Sequence, residues 1–289
     1  MHLKLDYSAI STFRTCPLKF YHRYVRGLVA ATATNEAQTF GKLFHQGLET
    51  LYRAGFPSAE AAEIFITNLD TEGLSQEPNA RRGAEHLRTL LRKYVENYYP
   101  EVIALRAFEQ FLEVPINDWL TYCGTLDGIT QDGSVFETKT SSFLGSSFLD
   151  RMKPNDQATG YLYLLKKTSN GKNTSDRIIF NGASTSGYGL KSKPTSWPLW
   201  AKPAEHFIRC ETFRTDEDME TWERRLLADA ERIRECIESE LYSCNPPDSC
   251  TMFNSVCPYI DICRSRNANK ETLIKTAFKL EPWKGCVIS

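Results

Sequence analysis

The tripeptide Gln131-Asp132-Gly133 constrains this chain more than any other feature. It separates two strand-like runs, 121–130 (TYCGTLDGIT) and 134–140 (SVFETKT), and turn residues of this kind predict that the runs fold back as a β-hairpin. A further strand is predicted over 108–116 (FEQFLEVPI), and two more over 176–183 and 204–213. Helical periodicity surrounds this block. Residues 8–27 read as short helical pieces, with Ser8 or Ser11 as a cap and Pro17 opening a new turn. In 35–54, Phe40, Leu43, Phe44, Gly47, Leu48 and Leu51 form one face and Gly55 ends the helix. Ser58 opens a helix through Leu69, and a loop leads to another over 80–98. Helices are also predicted over 155–167 and 216–240, the latter with Trp222, Leu226, Ala230, Ile233 and Ile237 as its buried stripe. Residues 184–203 read as a loop or insertion, and the last 45 residues as an irregular, cysteine-rich tail. The layout is α/β, a small mixed sheet flanked by helices. With 289 residues, 41% of them hydrophobic, the chain is long enough for a sizeable core.

Chemistry concentrates on the hairpin. Glu137 and Lys139 are two apart on a strand and share a face, and the tight turn brings Asp127 alongside. Two carboxylates with a lysine suit a hard divalent cation, Mg²⁺ or Mn²⁺, in phosphodiester hydrolysis, with the lysine holding or deprotonating water. Taken alone, Glu-x-Lys on a strand is more often a solvated cross-strand pair. His45, on the apolar face of the 35–54 helix, is either a satisfied core histidine or a further ligand, one better suited to Mn²⁺. Gln157 and Tyr161, four apart on the next helix, are either a surface amide with a half-buried ring or a polar pair lining a groove. Glu109 is an added acidic candidate or ordinary strand-surface charge.

Charges nearly cancel, with 35 basic against 36 acidic residues, which excludes nucleic-acid binding through gross basicity and leaves only a local basic groove. Arg81, Arg82, Arg88, Arg92 and Lys93 are candidates for one, or a solvated helix face. No apolar stretch approaches a membrane span, no secretory or organellar presequence is visible, and no GxxxxGK[ST] phosphate loop occurs. The expected setting is therefore cytoplasmic and reducing, where nine cysteines do not make a disulfide framework. Cys250, Cys257 and Cys263 cluster and need a fourth soft ligand, for which Cys16 and Cys244 compete. Zinc and an iron–sulfur cluster both fit that spacing. Cys123, Cys210, Cys236 and Cys286 read as structural thiols.

These segments together resemble the RecB-type PD-(D/E)XK nucleases, in the branch that carries an iron–sulfur cluster. That branch includes the AddAB nuclease domain, the CRISPR-associated adaptation nuclease and phage exonucleases. YSAISTFRTCPLKFYHRYV resembles the family's N-terminal cysteine motif and GKLFHQGLE its histidine motif. GTLDGI carries the aspartate, FETKTS the Glu-x-Lys, QATGYLYLL the Gln-x-x-x-Tyr motif and CPYIDIC the closing cysteines, in family order from residue 7 to 263. The resemblance implies a restriction-endonuclease-like core, a metal held by His45, Asp127 and Glu137, and Lys139, Gln157 and Tyr161 as further site residues. It also implies a 4Fe–4S cluster on Cys16, Cys250, Cys257 and Cys263, joining the N- and C-terminal segments. In one departure, six residues rather than two separate the second and third of these cysteines, which keeps Cys244 in competition.

The resulting expectation is a single nuclease domain over 1–289. Its parts are a cysteine-cluster region (1–30 and 244–265), a helical region (35–100) and a catalytic α/β core (105–215). The expected activity is Mg²⁺- or Mn²⁺-dependent exonucleolytic hydrolysis of single-stranded DNA or DNA ends, in recombination, repair or phage DNA processing. Trimming of DNA ends in CRISPR spacer acquisition, or a catalytically silent iron–sulfur scaffold on DNA, are the alternatives. Expected partners are DNA and no membrane, with a homo-oligomer or recombination and replication proteins compatible with the sequence.

Overall fold

The structure, a computed structural model, describes residues 1–31, 36–77, 80–185, 202–203, 206–245, 249–252, 255–283 and 287–288. In chain order the elements begin with β1 (Leu3–Leu5), α1 (Tyr7–Thr15), α2 (Pro17–Phe20), a π-helical turn (Tyr21–Val25) and β2 (Leu28–Ala30). Then come α3 (Glu36–Arg53), α4 (Ala59–Thr67), α5 (Ala84–Tyr98), β3 (Leu105–Asn117), β4 (Leu120–Thr130) and β5 (Val135–Ser141). They continue through α6 (Ser146–Met152), α7 (Asp156–Thr168), β6 (Arg177–Ser184), β7 (Lys202–Pro203), β8 (Phe207–Phe213) and α8 (Asp216–Ser239). The C-terminal part holds β9 (Thr251–Met252), β10 (Ser255–Val256), α9 (Ile260–Arg264), α10 (Asn267–Ala277), β11 (Phe278–Leu280) and β12 (Val287–Ile288). The chain divides into two compact units: Met1–Thr34 with Leu112–Gly124 and Asp218–Ser289, and Asn35–Phe111 with Thr125–Glu217.

The second unit is an α/β assembly around a mixed sheet. β4 and β5 pair antiparallel (Gly128 opposite Phe136), β5 and β6 parallel (Val135 opposite Ile178), and β6 and β8 antiparallel (Phe180 opposite Cys210). The parallel pair is connected through α6 and α7, since strands of the same direction cannot be joined by a tight turn. The predicted hairpin forms. Thr130 N–H donates to Ser134 O at 3.0 Å, and Gly133 takes a φ of +81°. A Cβ on Gly133 would lie 2.0 Å from the Asn173 carbonyl oxygen, so glycine is required there for space as well as for φ. Period-3.6 stripes on α3 and α5 bury Phe40, Phe44, Leu48 and Leu51 together with Leu87, Leu91 and Tyr94 against Phe136, Ile179 and Phe207 of the sheet. On α7 a run from Ala158 to Leu165 is buried.

In the first unit, β1 lies between β12 (antiparallel, Leu3 opposite Ile288) and the start of β4 (parallel, Leu3 opposite Leu120). Asp6, rather than Ser8 or Ser11, caps α1, accepting from Ala9 N–H at 2.7 Å. Pro17 opens α2 as expected. Trp222, Leu226, Ala230 and Ile233 of α8 are buried, but Ile237 is only half-buried, because the stripe drifts off the core face in the last turn. The tail is not irregular: α9 and α10 form within it, and Phe278–Leu280 pairs with β2 over a small core of Leu28, Tyr259 and Ile262. Most of 184–203 lies outside the described residues, as do Cys286 and the first two residues of the 204–213 run. Among the described residues no helix is long and apolar enough to cross a membrane.

Candidate active site

The hairpin, α3, β3 and α7 of the second unit converge on one set of polar side chains. His45 lies on the inward stripe of α3, one residue beyond the buried Phe44. Its Nδ1 stands 3.5 Å from Asp127 Oδ1 on β4 and 4.0 Å from Glu109 Oε1 on β3. Ligand atoms of these three residues all fall within 4.8 Å of one another, a spacing that one cation can bridge. The other Asp127 oxygen accepts the Thr138 N–H of β5 at 2.8 Å, which fixes the carboxylate across the hairpin.

The strand alternation then divides the predicted set. Phe136 packs in the core under α3, and Glu137 and Lys139 take the opposite parity on β5. Lys139 Nζ lies 2.5 Å from Glu137 Oε1 and donates to Gln157 Oε1 at 2.7 Å; Gln157 Nε2 in turn donates to the Tyr161 hydroxyl at 2.8 Å. Asn155 caps α7 through the Ala158 N–H and so sets where Gln157 and Tyr161 fall. The spacing places the two side by side, as expected for residues four apart. The tightest ligand group thus contains Glu109 where Glu137 was expected, and Glu137 joins through Lys139. Sequence alone weighed Glu109 equally as surface charge, and no signal in the β3 pattern distinguishes it.

Charge is crowded here. Burial pushes the Asp127 carboxyl up, but His45, Lys139 and the Thr138 N–H outweigh it and hold it below the ordinary carboxylate value. Glu137, only 1% exposed, is pushed up to about 7 by burial and by the Asp127 charge, against the pull of Lys139. Burial lowers the His45 imidazole, yet Asp127, Glu137 and Glu109 together raise it above its usual value. Glu109 is raised, by burial first and by Asp127 next. Glu137 Oε2 is buried with no hydrogen-bond partner. Three acidic groups around one imidazole and one ammonium, with an orphaned carboxylate oxygen, form a donor set that a hard divalent cation satisfies.

The basic candidates divide. Arg92 is committed to Glu63 (2.8 Å) and Glu85 (3.0 Å), and Arg88 donates to Thr71 Oγ1 at 3.3 Å. Arg82 donates to Ser142 Oγ at 2.7 Å, and Lys93 Nζ lies 2.7 Å from His206 Nε2. In the first unit the five thiols Cys16, Cys244, Cys250, Cys257 and Cys263 gather. Cys257 N–H donates to the Cys250 carbonyl at 2.8 Å, and Cys244 lies within sulfur hydrogen-bond reach of both Cys16 and Cys250. Burial and the neighbouring cysteines push Cys263 up to about 11 and raise Cys244; burial raises Cys257 as well. Cys123 and Cys210 are buried with thiols pushed up to about 12, and Cys236 is half-buried on α8.

Residues 4–264 match the PD-(D/E)XK nuclease superfamily. No curated protein matches the sequence. A crystal structure from Eubacterium rectale, provisionally designated an exonuclease, is similar at 11% identity and a TM-score of 0.49, over 87% of this chain and 88% of that one.

Proposed function

The chain belongs to the PD-(D/E)XK nuclease superfamily, and on that premise we propose that it is a divalent-metal-dependent deoxyribonuclease acting exonucleolytically on single-stranded DNA or duplex ends. The convergence of His45, Glu109 and Asp127 beside the Glu137–Lys139–Gln157–Tyr161 chain carries this reading. His45, Asp127 and Glu109 would hold Mg²⁺ or Mn²⁺, with the orphaned Glu137 oxygen as a further donor. Such a cation polarises a phosphate oxygen and stabilises charge on the attacking and leaving oxygens. Lys139 orients the attacking water and carries positive charge toward the phosphate as negative charge develops. Gln157 and Tyr161 hold the Lys139 ammonium in place. Thr138 and His45 fix the two faces of the Asp127 carboxylate. This complete set argues against a catalytically silent scaffold.

We further propose the iron–sulfur branch of the superfamily, with a 4Fe–4S cluster on Cys16, Cys250, Cys257 and Cys263 in a structural role, since hydrolysis transfers no electrons. The gathering of these thiols in one place supports a soft-ligand centre among them. Cys244, exposed beside Cys16 and Cys250, is the competing fourth ligand. The proposed setting is DNA-end processing in recombination, repair or phage DNA metabolism.

The test compares open and end-blocked DNA substrates, single- and double-stranded, in Mg²⁺, Mn²⁺ and EDTA. Loss of nucleotides from open ends only, abolished by EDTA, is the expected result. Undiminished cleavage in EDTA overturns the metal reading, and equal cutting of blocked and open substrates overturns the exonuclease reading.

A further inference from the structure

β5 ends two residues beyond Lys139, and its last residue, Ser141, lies opposite Ser184 of β6. Ser184 N–H in turn donates to the His206 carbonyl at 2.7 Å, so three segments finish at one level of the sheet. Cations gather there. Lys93 Nζ sits 2.7 Å from His206 Nε2, and Arg82 reaches the loop after β5 through Ser142 Oγ at 2.7 Å. His86 Nδ1 accepts the Arg82 backbone N–H at 3.1 Å, and its ring lies 5.2 Å from that of Phe40, one residue before the α3 glycine whose Cβ would meet Thr140 Oγ1 at 3.0 Å. Burial lowers the His86 imidazole first, and then the nearby His206, Arg81, Arg82 and Lys93 lower it further, which holds His86 toward its neutral form. Phe40 and His45 lie five residues apart on α3, an axial rise of about 7.5 Å.

Beside these cations stands an exposed aromatic ring. Phe143 is 63% exposed, yet its backbone is tied down: its N–H donates to Ser141 Oγ at 3.2 Å, and that hydroxyl donates to the Phe143 carbonyl at 2.8 Å. The ring lies over Gly145, where a Cβ would come within 2.5 Å of Phe143 Cε1. A glycine seat, a pinned backbone and a solvent-facing ring make a pre-set platform, and a ring of that kind next to cations is what unpaired bases on a phosphate chain require.

We propose that Phe143 and the cations Arg81, Arg82 and Lys93, set around His86 and His206, hold the single-stranded DNA leading to the scissile phosphate, a base stacking on Phe143 and the adjoining phosphates on the cations. A base pair has no free face to offer Phe143 except at its terminus, so the platform selects unpaired strands. This inference rests on the nuclease reading for its position, but its test does not depend on turnover. Binding of a fluorescein-labelled single-stranded 15-mer and of the same sequence as blunt duplex is measured by anisotropy in EDTA, with wild type, Phe143→Ala, Phe143→Trp, Arg82→Ala and Lys93→Ala, each checked for an unchanged thermal midpoint. Phe143→Ala is expected to weaken single-strand binding roughly 5- to 150-fold, the range of one lost base–aromatic stack, with a smaller loss for the blunt duplex, whose only free faces are its two terminal pairs. Phe143→Trp restores it. Lys93→Ala should flatten the slope of log Kd against log salt by about 0.7. Single-strand affinity unaltered in folded Phe143→Ala, or equal loss for duplex, overturns the proposal even if cleavage proceeds normally. Conversely, a wild type that binds single strands through Phe143 but cleaves nothing in Mg²⁺ or Mn²⁺ defeats the nuclease reading and leaves the binding site standing.

Discussion

Glu109 adopts a φ of +43° within β3, a left-handed conformation that a residue with a Cβ enters at a cost of order 1–3 kcal/mol. The same residue brings a carboxylate to His45 and Asp127. Strain of this kind persists where the surroundings over-determine it, and the two observations together make Glu109 the residue at which stability and metal binding part company. Glu109→Gly is expected to be about 1 kcal/mol more stable than Glu109→Gln, because glycine relaxes the backbone, while both weaken Mn²⁺ binding measured by calorimetry. Equal stability of the two, or wild-type Mn²⁺ affinity in either, goes against this account. His45→Ala should likewise lower Mn²⁺ affinity with little change in thermal midpoint, whereas a core histidine would do the reverse. Glu137→Gln and Lys139→Ala are each expected to lower the cleavage rate on the order of 10²–10³-fold. His22 gives a different signature. It is 4% exposed, its Nδ1 lacks a hydrogen-bond partner, and burial with help from Arg26 and Lys270 brings its imidazole down to about 4. A folded value below the unfolded one means that protonation favours unfolding. Stability is full above about pH 6.5 and falls as pH drops toward 4, by on the order of 2–3 kcal/mol. His22→Phe, which keeps the stack on Tyr259, should remove that part of the acid sensitivity in urea melts.

Elements with a strong period were legible in the sequence to within a few residues. α3, predicted over 35–54, spans Glu36–Arg53, and the hairpin of β4 and β5 turns where Asp132-Gly133 demands. The three-residue strands β1, β2 and β11 were not, because three residues carry no period and their partners are more than a hundred residues away. Nor was α10, whose NANKETLIKTA has little apolar stripe and leans on the small core around Tyr259 instead. The buried polar knot in the second unit was equally hidden. Arg209 of β8 donates to Glu101 Oε2 at 2.5 Å, to the Tyr94 hydroxyl at 2.7 Å, to the Tyr52 hydroxyl at 2.9 Å and to Asn181 Oδ1 at 3.1 Å. It thereby binds α3, α5, β6 and β8 together, and nothing local in any of those segments announces it. Removing one partner of a buried pair leaves the other charged and dry, at about 3–5 kcal/mol. Glu101→Ala should therefore lower the thermal midpoint sharply, and Arg209→Leu with Glu101→Leu should recover most of the loss. A double variant as unstable as the sum of the two singles would mean that the knot holds the elements by more than charge compensation.

The whole molecule is organised by a first unit that draws on both ends of the described chain, where Cys16 meets Cys250, Cys257 and Cys263. Tying positions so far apart restricts the unfolded chain more than any local staple, on the loop-closure argument developed for disulfides. Anaerobically purified protein is expected to be brown, with iron and acid-labile sulfide. Cys16→Ser, Cys250→Ser, Cys257→Ser and Cys263→Ser should each bleach it and lower its thermal midpoint, whereas Cys244→Ser should do neither. Stoichiometric zinc in a colourless, equally stable preparation would exclude the cluster, and bleaching by Cys244→Ser with Cys16→Ser still brown would move the fourth ligand. That Cys16 would lie near Cys250, Cys257 and Cys263 was legible from the motif order; the fifth thiol's place beside Cys16 and Cys250 was not, because spacing does not report distance in space.

β3 and β4 each run through both units, since residues 112–124 belong with the chain's ends while the flanking parts of both strands belong to the second unit. During synthesis that stretch leaves the ribosome well before Asp218, and at 5–20 residues per second the delay is roughly 5–20 s. Throughout it, β1 and β3, already made, are the strands available to pair with β4. The second unit can take shape while the first still lacks α8, β12 and three of its four proposed cluster ligands. The proposed cluster could be completed only after Cys263 is made, and a chain stalled or nicked before Cys250 would carry His45, Glu109 and Asp127 without three of the proposed cluster ligands.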